Sequence, residues 1–355
     1  MKAEDSKASA SRRGRPLRDR IGITTTVPIE VIYAAGMAPV DLNNAFVSDG
    51  NPVKLVQQAE RAGYPITCCA WVKGIYSVVK REGIERVIGV TEGDCSDTKA
   101  LLETLRMEGV EVIPFAYPQS RQREALGREI DGLAAILGAK PQDVARMKER
   151  LDGVRAKVHE VDRLAWQEGK VSSFEGHYFQ VCCSDMNGAP EDFGKEVEEF
   201  LDKARQREPE GDCLRLGFVG VPPILADLHD FLDENGARVV YHEIQRQFSM
   251  PFDTGDIVEQ YLRYTYPYDI WGRLADIREQ AALRRLDGLI HYVQAFCFRA
   301  IHDMILHREV ELPVLTLEAD YPGRMEASQK VRVEAFLDMV GARKRKGNHG
   351  LHGLH

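Results

Sequence analysis

Two stretches far apart in the chain repeat one pattern, and that pattern narrows the possible folds more than any other feature. In the first, Val87-Ile88-Gly89-Val90 leads to Cys95, a helix-like segment, Val112-Ile113 and then Tyr117-Pro118. In the second, Leu289-Ile290-His291-Tyr292 leads to Cys297, a helix-like segment, Val314-Leu315 and then Tyr321-Pro322. In both copies the strand begins eight residues before the cysteine. A compact apolar strand followed by a polar turn, a helix and another strand is βαβ punctuation, which favours a parallel sheet. Its recurrence predicts two similar α/β lobes. Ligands of open α/β sheets gather beyond the carboxyl ends of the strands. Two such lobes, each offering a thiolate from the same corner, could hold one inorganic centre between them.

The expected fold class is therefore α/β, with two Rossmann- or flavodoxin-like parallel-sheet domains and a helical middle region. The expected divisions are a disordered lead-in over 1–21, an α/β domain over 22–118, a mainly helical region over 119–212, a second α/β domain over 213–342 and a disordered tail over 343–355. Helices are predicted over Pro52–Ala62, Ala70–Arg81, Thr98–Met107, Arg121–Leu137 and Pro141–Glu168, with one long helical segment over Ile257–Leu286. Ser172–Phe193 reads as a loop carrying Cys182 and Cys183.

A net charge of −8 argues against nucleic acid or an anionic membrane as the main partner. No apolar run reaches the roughly 18–20 residues that a membrane span needs. Arg12 and Arg13 are adjacent near the start, but no apolar segment comes after them, so neither Sec nor twin-arginine export fits. The cytoplasm is the expected compartment, where thiols stay reduced and disulfides are the least expected use of seven cysteines. There is no P-loop, no Gly-rich dinucleotide fingerprint after a strand and no nucleophile elbow.

The cysteines are Cys68, Cys69, Cys95, Cys182, Cys183, Cys213 and Cys297. Cys95 and Cys297 stand where a strand stops and a helix starts, among polar neighbours, and helix N-termini favour thiolates. Cys213 leads directly into a strand and reads as incidental. In the pairs Cys68-Cys69 and Cys182-Cys183, adjacent side chains diverge, so one member of each is expected to ligate. Structural zinc sites use close pairs such as C-x2-C, and none occurs here. Ligands scattered so widely suit a cofactor held between domains, and an iron–sulfur centre is the preferred reading. Glu318 and Asp320 come after the strand Val314–Leu317 and are expected in the same crevice as Cys297. Arg299 is a candidate anchor for an anionic group. His349, His352 and His355 read as a solvated tail.

The stretches GITTTVPIEVIYAAGMAPVDLNN, CAWVKGIY, VIGVTEGDCSDT, IPFAYP, CSDMNGAPEDF, FVGVPP, FCFRAIHD and PVLTLEADYPGRMEASQKVRVEAF carry a resemblance over about residues 22–340. The chain resembles the 2-hydroxyacyl-CoA dehydratase D-component and benzoyl-CoA reductase subunit family, and within it the double-cubane cluster proteins. The resemblance implies Cys69, Cys95 and Cys297 as ligands of a cubane. In the dehydratases the remaining iron is open to a thioester carbonyl, an ATP-hydrolysing iron–sulfur activator protein supplies the electron, and a ketyl radical expels the hydroxyl group. In the double-cubane relatives six thiolates hold two cubanes joined by sulfide, for which Cys183, then Cys182 and Cys68, are the further candidates. With this resemblance the chain is expected to be a homodimeric, ATP-dependent reductase component with an 8Fe-9S double cubane, and Glu318 and Arg299, from their place in the crevice, are the candidates to serve the substrate. A 2-hydroxyacyl-CoA dehydratase subunit with one 4Fe-4S cluster is the alternative. A non-catalytic, metal-stabilised scaffold is the third reading.

Overall fold

The computed structural model describes residues 19–295 and 297–351, the side chains of 347–351 excepted. Residues 1–18 of the expected lead-in and His352 and His355 of the expected tail lie outside the described residues. The first sheet contains β1 (Arg20–Ile23), β2 (Ala38–Asp41), β3 (Arg86–Glu92) and β4 (Glu111–Ala116), all parallel, in the order β2-β1-β3-β4. The second contains β5 (Leu214–Gly220), β6 (Ala237–His242), β7 (Gly288–Val293) and β8 (Val314–Glu318), also all parallel, in the order β6-β5-β7-β8. The chain is α/β, as expected, and the sequence repeat is a repeat of topology. The short β1 was not expected, because four residues opening on arginine carry little strand signal. It nevertheless pairs with both β2 and β3 at the centre of its sheet.

Both sheets reverse direction at their second strand position. From β1 the chain steps outward to β2 and then crosses back to β3, and β5, β6 and β7 do the same. The loops leaving β1 and β3, and those leaving β5 and β7, therefore diverge and open a crevice at the carboxyl ends of the strands. Strands β1, β2, β6 and β7 are buried at every position, as parallel strands covered on both faces must be.

One core packs the first sheet against the helices Arg123–Leu137, Pro141–Trp166 and Pro190–Arg205, with Ile23, Val90, Phe115, Leu133, Val158 and Val197 fully or almost fully buried. A second core is continuous between the lobes: Leu42, Phe46, Val72 and Val79 belong to the same cluster as Phe218, Leu228, Tyr292 and Leu317. The cleft between the sheets thus rests on shared apolar packing.

Three segments differ from expectation. The supposed loop Ser172–Phe193 begins with the helix Ser173–Cys182, held by a capping box between Ser172 and Glu175. It then enters a buried turn in which Met186, Asn187 and Gly188 all have left-handed backbone angles (φ 47°, 54° and 70°). The predicted helix Ile257–Leu286 is broken into Ile257–Arg263 and Ile270–Leu283. Pro267 lies in the break, and Asp269 caps the second piece. The helix Ala327–Leu351 runs through the start of the tail expected to be disordered, and Lys344 donates to the Cys213 carbonyl at 2.9 Å.

A buried ion pair fastens the helical region to the first lobe. Arg155 donates to Glu30 at 2.7 Å, and Gln260 and Tyr261 donate to the same carboxylate at 2.7 and 2.9 Å. Removing one partner strands the other charge in the interior. Arg155→Met is expected to cost about 3–5 kcal/mol in urea-unfolding experiments, with Glu30→Gln/Arg155→Met recovering part of the loss.

Candidate functional site

Three helical segments begin on a cysteine. Cys69 is the N-cap of Ala70–Glu82, Cys95 of Ser96–Met107 and Cys297 of the 3-10 turn Phe298–Ala300. All three line one cleft of about 940 Å³, mouth included. Thr24 and Thr25 after β1, Asp94 after β3, Val221 to Pro223 after β5 and Gln294 after β7 also line it. Every strand end at the two points of reversal therefore contributes.

Two glycines make these turns possible. Gly93, just before Asp94 and Cys95, has φ 97°, and a Cβ there would lie 2.8 Å from Pro267 and 2.9 Å from Tyr117. Gly220, at the end of β5, also has φ 97°, and a Cβ would meet the Tyr292 carbonyl at 2.4 Å. The Gly220 N–H donates to buried Glu243 at 2.9 Å, and Arg273 grips that carboxylate with two N–H groups at 2.5 and 2.8 Å.

The thiols are tied into this frame. Cys69 Sγ donates to Gln294 Oε1 at 3.0 Å, and the Ala70 N–H donates to the same oxygen at 3.3 Å. A ligand candidate from the first lobe is thus positioned by the second. Cys95 Sγ accepts from the Thr98 N–H at 3.4 Å, the bond a helix cap makes. Burial pushes the Cys69 thiol up to about 12, against the pull of the Trp71 and Val72 N–H groups, and the neighbouring cysteines push it the same way. Burial and the Asp94 charge raise Cys95 as well. At Cys69 and Cys95 desolvation thus works against the preference of helix N-termini for thiolates. A bound cation reverses that balance, because it replaces the protons.

Arg299 and Asp94 complete the polar wall. Arg299 is only 3 % exposed. Its Nη2 donates to the Tyr266 carbonyl at 3.0 Å and its guanidinium lies 4.2 Å from the Tyr266 ring centre, while Nη1 is buried with no partner among the described residues. Burial pushes the Asp94 carboxyl up to about 6, although the Cys95 N–H and the Arg299 charge pull it down.

The remaining candidates stand elsewhere. Cys68 lines a separate cavity with Tyr64, Thr67 and Asp97. Cys182 and Cys183 are in the core, and Cys183 donates to the Phe179 carbonyl at 3.5 Å, with burial pushing its thiol up to about 12. The motif just after them is a clamp on the first lobe: Ser184 donates to Asp41 at 2.5 Å, and Asp185 accepts from the Asp41 N–H at 2.8 Å. Glu318 is exposed at the end of β8, outside the cleft lining. Asp320 accepts from the Ala295 N–H at 2.6 Å and so shapes the turn leading to Cys297.

Tyr266, Phe248 and His177 line the cleft without having been singled out from the sequence. The run Tyr264-Thr265-Tyr266-Pro267-Tyr268 held a signal, since a residue before proline is biased away from helix. The capping box held another for His177.

The raised thiol of Cys69 has a measurable consequence. Its folded pKa lies above the ordinary thiol value near 8.5, so its contribution to stability is present below about pH 8.5 and is lost as pH rises toward 12. In cofactor-free protein at pH 8 only about 1 in 10,000 of these groups is thiolate. Mass-mapped iodoacetamide labelling of Cys69 is expected to be at least about tenfold slower than that of a free cysteine, and to accelerate steadily with pH.

Among the described residues no helix is long and apolar enough to cross a membrane. A search of curated proteins returned no match. A family model described as 2-hydroxyglutaryl-CoA dehydratase, D-component, matches residues 24–340, which takes in every strand but β1, the helical region and every cysteine. The chain belongs to this family of dehydratase components.

Proposed function

We propose that the chain is the iron–sulfur component of a dehydratase-type enzyme acting on a 2-hydroxyacyl-CoA, with Cys69, Cys95 and Cys297 holding a single 4Fe-4S cubane. The observation that carries this reading is the meeting of three capping cysteines, two from the first lobe and one from the second, in one cleft. The donor set fits the group. Three thiols are soft ligands, and three ligands on a four-iron cubane leave one iron open. When bound, the cluster supplies one-electron chemistry at low potential.

The surrounding side chains suit a polar substrate. The unpaired Nη1 of Arg299 can donate to a carbonyl or anionic oxygen in the cleft, and a charged donor in a dry site binds such an oxygen strongly. Asp94 Oδ1 accepts from the Cys95 N–H at 2.7 Å, and its carboxyl, also bonded by Thr98, lines the cleft where it can carry the proton that a leaving hydroxyl needs. A carboxyl raised to about 6 is suited to that task near neutral pH. Gln294 fixes Cys69 across the lobes. Glu318, being outside the cleft, has no part in the proposal. As the family resemblance implies, ATP hydrolysis is assigned to a separate iron–sulfur activator, and the absence of a P-loop motif in this sequence agrees with that. A homodimer, or a pair with a second related chain, is compatible with one cleft per chain. A double cubane would need six thiolates, and Cys68, Cys182 and Cys183 stand outside this cleft.

Anaerobic reconstitution with iron and sulfide tests the proposal. The expected outcome is about four irons per chain and an EPR signal on reduction. The signal should be lost in Cys69→Ser, Cys95→Ser and Cys297→Ser and retained in Cys183→Ala and Cys213→Ser. About eight irons, with loss of signal in Cys68→Ser or Cys183→Ala, would favour the double-cubane reductase. A redox-silent metal that only raises the melting temperature would favour the scaffold.

A further inference from the structure

Outside the cysteine set, three histidines converge from three separate elements. His177 is on the helix Ser173–Cys182, His229 on the helix Leu228–Glu234, and His242 is the last residue of β6. One ring nitrogen from each lies within 4.8 Å of the other two, and the ring centres are 4.9, 5.4 and 5.8 Å apart. His229 and His242 are 4 % and 3 % exposed. We propose that these three imidazoles form a second metal site, for a divalent first-row transition ion such as Zn²⁺, distinct from the cysteine centre.

Unmet hydrogen-bonding groups point to a ligand. His229 Nε2 is buried with no partner among the described residues, and the buried ring of His242 has the Ser173 backbone beside it but no hydrogen bond of good geometry at either nitrogen. Histidines kept only for packing would leave these polar atoms stranded at a cost that phenylalanine avoids. The neighbouring amide fits the same picture. Gln245 Nε2 lies 3.1 Å from His177 Nδ1, while Gln245 Oε1 is buried and unpaired. Turning that amide over, an assignment that hydrogen bonding alone decides, places Oε1 as acceptor for Nδ1–H. His177 Nδ1–H then has a carbonyl acceptor and its Nε2 is left free, the arrangement that ligating histidines take, while the amide nitrogen takes the place the oxygen held.

The chemistry selects the class of ion. A set of three imidazoles suits zinc, nickel, copper or iron and offers nothing to calcium or magnesium. Burial holds all three rings in the neutral, ligating form. Nitrogens in tetrahedral Zn²⁺ sites lie about 3.4 Å apart, within reach of small ring rotations here. The ion would fasten the helix Ser173–Cys182 to the second sheet, at a point where His177 also lines the cleft.

Cobalt substitution tests this without reference to the cluster. The chelator-treated Cys69→Ser/Cys95→Ser/Cys297→Ser chain is titrated with Co²⁺. The expected result is one equivalent bound, with the intense visible bands of four-coordinate cobalt, no thiolate charge-transfer band and displacement by Zn²⁺. His242→Phe and His177→Gln should each weaken binding by about 100-fold or more. His177→Gln keeps the test open if His242→Phe does not fold. In the chain with its cysteines intact, Zn²⁺ should raise the melting temperature, and His177→Gln should remove the part of that shift which Cys69→Ser leaves. Weak or sub-stoichiometric cobalt binding by a folded chain, or stoichiometric binding indifferent to both histidine substitutions, overturns the proposal and leaves the cluster as packing or a water site.

Discussion

A parallel strand must leave its sheet at the carboxyl end, and the helix after it begins with N–H groups that have no partner inside it. The whole cleft depends on that constraint. Three of the helical segments that border the cleft start on a cysteine, and at Cys95 the sulfur itself accepts from the Thr98 N–H. Because both sheets have the same strand order, the same corner recurs, and two lobes bring their caps to one space. Gly93 and Gly220 are the local concessions that let the backbone turn there, one against Pro267 and Tyr117, the other against the Tyr292 carbonyl.

The cleft is held by contacts that do not touch it. Apolar packing is continuous from the helix Ala70–Glu82 to β5, β7 and the helix after β8, so the two lobes share a core. Lys73, almost fully buried, donates to Glu60 at 2.8 Å and stands 5.1 Å from the ring centre of Tyr321, which itself donates to Glu60. This ties the first lobe to the loop beyond β8. The buried pairs Glu30–Arg155 and Glu243–Arg273 fix the helical region and the β5 corner. Their directional bonds complement the non-directional core and specify how the pieces meet.

Burial decides the chemistry of the thiols more than their position on helices does. Cys69 and Cys95 receive N–H groups, yet both are pushed up by desolvation. The same force acts on His177, where burial lowers the ring to about 4. In the proposed sites a cation would be balanced by thiolates in one place and would meet imidazoles that are already neutral in the other. The core thiol of Cys183 is also pushed up by burial, but it is packed in an apolar cluster and donates to the Phe179 carbonyl.

The sequence alone determined the α/β class, the repeated corner and the placing of Cys69, Cys95 and Cys297 at helix starts, because alternation of apolar strands, caps and glycines is local information. It also held the capping box at Ser172 and the proline break at Pro267, though the stretch after Ser172 was read as a loop and the break as helix. Tertiary structure alone decided that Cys69 and not Cys68 faces the cleft, although the two are neighbours in the chain, and that neither Cys182 nor Cys183 does. It also decided that the segment after Cys183 is a buried clamp, that Glu318 faces solvent while Arg299 is enclosed, and that His177, His229 and His242 meet. Side-chain direction and desolvation depend on what packs from distant parts of the chain, and no local pattern encodes that.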